Sequence, residues 1–70
     1  MKALVIGGGG FVGPYLVRHL TDDCGYEVTV TKTEKEQLVM DNAVVKNLDI
    51  LDIGQIVELL KAEQPDYIFH

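Results

Sequence analysis

Seventy residues is less than one ordinary domain and far short of an enzyme that carries both a cofactor domain and a substrate domain. A hydrophobic content of 47% is that of a globular chain and excludes disorder, although so short a chain buries only about 60% of the surface its unfolded form exposes. Six basic against eleven acidic residues give a net charge of −5, which excludes nucleic acid or an anionic membrane as the main partner, because both need a basic face. A local anion site built from backbone N–H groups survives that exclusion.

The apolar run Ala3-Leu4-Val5-Ile6 ends in glycine, the pattern of a strand buried on both faces. It is too short for a signal peptide or a membrane span, so a cytoplasmic location is expected. Four glycines, Gly7 to Gly10, then predict a turn. Apolar residues recur at helical spacing through Phe11, Val12, Tyr15, Leu16, His19 and Leu20. Pro14 is tolerated only in a first helical turn, so this helix is expected to begin close to Gly10 and to close over Thr21–Gly25. Cys24, the single cysteine, has no internal disulfide partner and reads as a small loop residue. Glu27–Thr31 alternates and is β-branched, a second strand, and the charged stretch Lys32–Gln37 reads as a loop or short exposed helix. Ala43–Asn47 is a third strand. Asp52 with Gln55 makes a capping-box pattern, followed by the apolar face Ile53, Ile56, Val57, Leu59 and Leu60. Pro65 stops that helix, and Asp66–Phe69 is a fourth strand.

Strands alternating with helices predict an α/β fold: a partial Rossmann fold whose parallel sheet of about four strands has the order 3-2-1-4, with flanking helices. The fourth strand is then an edge, and Tyr67-Ile68-Phe69 is a template for self-association. Where the first strand turns into the first helix, glycine lets the backbone approach a diphosphate, and the helix start offers N–H donors. Two registers fit: Gly7-x-x-Gly10-x-x-Gly13, preferred because the strand is read to end at Ile6, and Gly8-x-Gly10-x-x-Gly13. Close packing of helix on strand explains one glycine and not four in a row. No Lys-Ser/Thr pair follows, which excludes a nucleoside-triphosphate P-loop. At the end of the second strand, where an Asp or Glu would select NAD, stands Thr31-Lys32-Thr33. Lys32 suits the 2′-phosphate of NADP, with Thr31 or Thr33 adding hydrogen bonds, so NADP is favoured over NAD. Glu34 reverses that preference if the strand ends later.

The segment Gly7-Gly8-Gly9-Gly10-Phe11-Val12-Gly13 resembles the TGxxGFxG loop of the extended short-chain dehydrogenase/reductases, nearest the NAD(P)-dependent nucleotide-sugar epimerases and dehydratases. Ile6 replaces the threonine of that loop. Gly25-Tyr26-Glu27-Val28 continues the likeness, and Leu48-Asp49-Ile50-Leu51-Asp52 is similar to the family's adenine-contacting Asp-Ile/Leu pair. The resemblance implies that Asp49 accepts from the adenine amino group and that the Ile50 backbone meets a ring nitrogen, while Asp52 reads as a helix cap. Gln64–His70 looks most like the fourth strand of GDP-mannose dehydratases and GDP-4-keto-deoxyhexose reductases.

The cofactor-binding residues expected on these grounds are Gly7, Gly10, Phe11, Val12, Gly13, Lys32, Asp49 and Ile50, with no metal site. Tyr15, Tyr26 and Tyr67 have no lysine four residues later, so the family's Tyr-x-x-x-Lys is not found and the chain by itself is expected to be inactive. Residues 1–70 are therefore expected to be the N-terminal part of a dinucleotide-binding domain, the rest of that domain and the substrate domain lying elsewhere. A non-catalytic dinucleotide sensor is the rival expectation.

Overall fold

A computed structural model describes residues 1–7, 13–35, 37–40 and 42–69 of the chain. Four parallel strands, β1 (Lys2–Val5), β2 (Glu27–Lys32), β3 (Val44–Asn47) and β4 (Tyr67–Phe69), lie in the order β3-β2-β1-β4. This is the doubly wound order expected from the alternation of strands and helices. Register runs Val5↔Val30 between β1 and β2, Val5↔Phe69 between β1 and β4, and Thr31↔Lys46 between β2 and β3.

Strand periodicity divides the sheet into two unlike faces. Ala3, Val5, Val28 and Val30 are buried on one face against Val17 of α1 (Gly13–Arg18) and Leu20 of the turn that follows. That turn, His19–Asp23, is π-helical: Cys24 N–H donates to the His19 carbonyl five residues back, at 3.2 Å. Gly25 then takes a φ of +69°, a conformation closed to most side chains, and turns the chain into β2. Alternation places Leu4, Thr29 and Thr31, all buried, on the opposite face. There α2 (Ile53–Glu63) returns the chain to β4.

The Asp52 cap predicted from sequence is present, its Oδ1 accepting from Gln55 N–H at 3.2 Å. The Gln55 side chain departs from the capping box: its amide donates to Asp52 Oδ2, and its Oε1 accepts from Asp49 N–H, both at 3.2 Å. Helix α2 ends before Pro65, with Gln64 in the left-handed region at φ 45°.

Several strand boundaries differ from expectation. Ile6 leaves the first strand for a turn: its N–H still donates to Phe69 O at 2.8 Å, but the chain bends at Gly7, whose φ is +79°. Ala43 precedes β3 and packs on the core instead. Lys32, expected in the loop, is the last residue of β2, while Thr33–Lys35 is loop and turn, the first of the two alternatives expected. Asp66 lies in a bend just before β4.

Candidate functional site

Ligands of open parallel sheets bind beyond the carboxyl ends of the strands, where neighbouring connections leave in opposite directions. Here that position lies beside β1, whose two neighbours β2 and β4 are reached by connections on opposite faces. At the end of β1, Gly7 has a φ of +79°. An added Cβ would meet no atom within 4 Å, so the glycine is required by backbone conformation rather than by crowding. Gly7, with which the preferred register begins, is thus a turn residue. Gly13 opens α1, and Pro14 follows it within the first turn. The expected ligands Gly10, Phe11 and Val12, together with Gly8 of the second register, lie outside the described residues, as does His70.

Beyond the ends of β2 and β3 is a cleft of about 520 Å³. Thr33, Glu34 and Lys35 form one wall, Asn47, Leu48 and Asp49 the other, and Gln55 reaches it from the start of α2. Of the described residues expected to bind cofactor, Asp49 lines this cleft, as does Thr33, one of the two threonines expected beside the 2′-phosphate. Its Oδ1 accepts from Leu51 N–H at 2.9 Å, and Gln55 Oε1 accepts from its own N–H, so the carboxylate is held in a tight turn. Ile50 lies in that turn, 55% exposed. Lys32 is half-buried at the end of β2 and donates from Nζ to Thr33 O at 3.3 Å, just outside the cleft lining. The cation in the cleft wall is Lys35, with Glu34 beside it.

Lys35, Asn47 and Gln55 escaped the sequence reading. The signal for Asn47 was its place at the carboxyl end of a strand, and for Gln55 its place in the first helical turn after that strand. Of the two threonines expected to hydrogen-bond a 2′-phosphate, Thr33 lines the cleft and Thr31 does not. Thr31 is 1% exposed, and its Oγ1 accepts from Gly7 N–H at 3.0 Å. Its place on β2 turns the hydroxyl under the glycine turn and away from solvent.

The other end of the sheet holds a different polar group. Glu63 Oε1 accepts from Lys46 Nζ at 2.8 Å and from Thr29 Oγ1 at 3.2 Å, tying the end of α2 to β2 and β3. The hydrogen bond from Lys46 holds the Glu63 carboxyl below its ordinary range, against the opposing effect of burial. The π-helical turn gathers His19, Asp23 and Cys24, with His19 Nδ1 2.8 Å from Asp23 Oδ2 and Nε2 3.8 Å from Cys24 Sγ, all exposed. Among the described residues no group of three His, Cys, Asp or Glu is placed to hold a metal ion. Among them, too, no helix is long and apolar enough to cross a membrane.

A parallel 3-2-1-4 sheet, a positive-φ glycine after the central strand and a cleft at the strand ends define a Rossmann-like α/β domain. Residues 3–70 match the NAD dependent epimerase/dehydratase family, and the chain belongs to that family. Among solved structures it is similar to UDP-glucose 4-epimerase of the hyperthermophile Thermotoga maritima, solved with UDP-glucose. That likeness has a TM-score of 0.85 and 30% identity and covers 100% of this chain. It is also similar to a Burkholderia cenocepacia J2315 protein proposed to be an epimerase, at a TM-score of 0.84, 25% identity and 96% of this chain. L-threonine dehydrogenase of Clostridium difficile shares the fold, with a TM-score of 0.75, 24% identity and 96% coverage. The chain spans 23% of the length of each of the first two structures and 22% of the third.

Proposed function

We propose that this chain supplies the adenosine-diphosphate half of the NAD(P) site in a nucleotide-sugar epimerase, dehydratase or reductase. The observation that carries the reading is the turn at Gly7, which takes the central strand of a doubly wound sheet toward a helix start within an epimerase-family sequence. The described residues fit such a cofactor: the backbone bends where a diphosphate needs amide donors, and a cleft lies where the adenosine belongs.

Gly7 makes the turn, and Gly10, Phe11, Val12 and Gly13 carry the amides toward the diphosphate. The remaining oxygen of Asp49 accepts from the adenine amino group, and the Ile50 backbone meets the ring. Lys32 favours NADP over NAD, and Lys35 in the cleft wall adds to that preference. When bound, the nicotinamide takes and returns a hydride at a sugar carbon. The groups that drive that chemistry lie outside this chain, which is the N-terminal part of the dinucleotide-binding domain. The relatives' greater length supports this division. The likeness of Gln64–His70 to GDP-mannose dehydratases and GDP-4-keto-deoxyhexose reductases favours a GDP-sugar. A lone cysteine suits a cytoplasmic protein. The edge strand β4, with Tyr67 and Ile68 44% and 52% exposed, favours self-association.

Calorimetric titration of the whole protein with NADP, NAD and ATP tests the reading. Saturable binding of the dinucleotides, tighter for NADP and weakened selectively by K32A, is expected. Binding of neither dinucleotide refutes the reading, and equal affinity for both removes the NADP preference.

A further inference from the structure

In a parallel strand, successive N–H groups point to opposite sides, toward alternate neighbours. Ile6 N–H donates to Phe69 O on the β4 side, which leaves Gly7 N–H on the β2 side. The pairing of β1 with β2 ends at Val5↔Val30. The next acceptor is no carbonyl but the Thr31 hydroxyl, at 3.0 Å from Gly7 N. That hydroxyl belongs to a residue 1% exposed, held in the interior of β2 between β1 and β3. It therefore extends the β1–β2 pairing by one bond and fixes the peptide plane at which β1 enters its positive-φ turn.

We infer that Thr31 is a positioning residue for the dinucleotide, acting through Gly7, an inference that rests on the function proposed above. With its N–H engaged by Thr31, Gly7 aims the loop instead of donating to the diphosphate, and the donors to the phosphates come from later amides. Alternation along β2 sends the Lys32 side chain to the face opposite that of Thr31. Consecutive residues of one strand thus divide two tasks: Thr31 sets the loop, which both dinucleotides need, and Lys32 bears on the phosphate that distinguishes them.

The test uses T31V, which keeps the shape and removes the acceptor, beside T31S, which keeps the hydroxyl, in the whole protein. Three readouts are taken: dissociation constants for NAD and NADP, the urea midpoint, and hydrogen exchange of the Gly7 amide. T31V is expected to weaken both dinucleotides by the same factor, roughly fivefold, while T31S stays within about twofold of the parent. The common factor separates this role from that of Lys32, whose loss moves NADP alone. A folded T31V that binds both as tightly as the parent overturns the inference and leaves the proposed function standing. A parent that binds neither dinucleotide ends both. If T31V does not fold, the unligated parent still decides: a Gly7 amide that exchanges as fast as an unprotected one lacks the bond and overturns the inference.

Discussion

The two faces of the sheet are held by different physics. Under α1 the contact is apolar and closed: Ala3, Val5, Val17, Leu20, Val28 and Val30 are each at most 5% exposed, with no polar side chain among them. Under α2 the sheet presents Thr29 and Thr31 beside a single buried aliphatic strand residue, Leu4, and the helix leaves Ile56, Leu59 and Leu60 only half-buried and none fully buried. Directional bonds mark both ends of α2: the Asp52 cap at its start and the Glu63–Lys46–Thr29 group at its close. The first face draws on area removed from water, a non-directional effect that tolerates small shifts. The second draws on a few directional bonds whose geometry also sets where the strand ends point. The face built from directional bonds is the one that includes Thr31 and the Gly7 turn.

That contrast is broken most forcefully on the apolar side. Leu20→Ala removes a side chain 3% exposed from the packed face. It is expected to cost about 2–4 kcal/mol, read as a lower urea midpoint at unchanged slope. A cost below 1 kcal/mol would show that this face is no more tightly packed than the other.

On the α2 side a pH titration sharpens the comparison. The folded Glu63 carboxyl lies below its unfolded value, through the Lys46 hydrogen bond first, with burial opposing. The ionised form is therefore favoured by folding. Its contribution is complete above the unfolded value of about 4.3 and is lost as pH falls through the lower, folded one. Glu63→Gln should cost about 1 kcal/mol at pH 7, allowing for Lys46 being 43% exposed, and the gap to the parent should close in acid. A gap that persists unchanged at pH 3 would mean that packing, not charge, holds this end of α2. Asp52→Ala should cost a similar or smaller amount, about 0.5–1 kcal/mol, with helix loss at the start of α2 seen by hydrogen exchange.

The same division explains what could be read from the sequence. Strand order was legible, because runs such as Ala3–Val5 report burial directly. The face of α1 was legible only in part: Leu20 of the expected set is buried, whereas Tyr15 is 70% exposed and Val17, which the spacing did not single out, is fully buried. The Asp52 cap was legible because its signal is local. The Thr31–Gly7 bond was not, since it joins residues 24 apart through a strand register that no periodicity encodes. Nor was the nearness of His19 and Cys24, which depends on a π-helical turn where an ordinary helix would set them on different faces. At the cleft, Asp49 could be found by resemblance, whereas Lys35 sits in a charged stretch with no pattern to single it out.

The smallest expected effect probes the outer side of α2. Ile53 and Val57 are 75% and 42% exposed, and Ile68 of β4 is 52% exposed. Apolar side chains left in water contribute little to the fold that carries them, so Ile53→Ser should change stability by no more than about 0.5 kcal/mol at low protein concentration. If copies of the chain meet through this side of the molecule and the β4 edge, the same substitution should lower the apparent mass at high concentration in light scattering. A loss of several kcal/mol in a monomer would instead mean that α2 leans on Ile53 for its own packing. The directional bonds at its two ends would then not be what holds it.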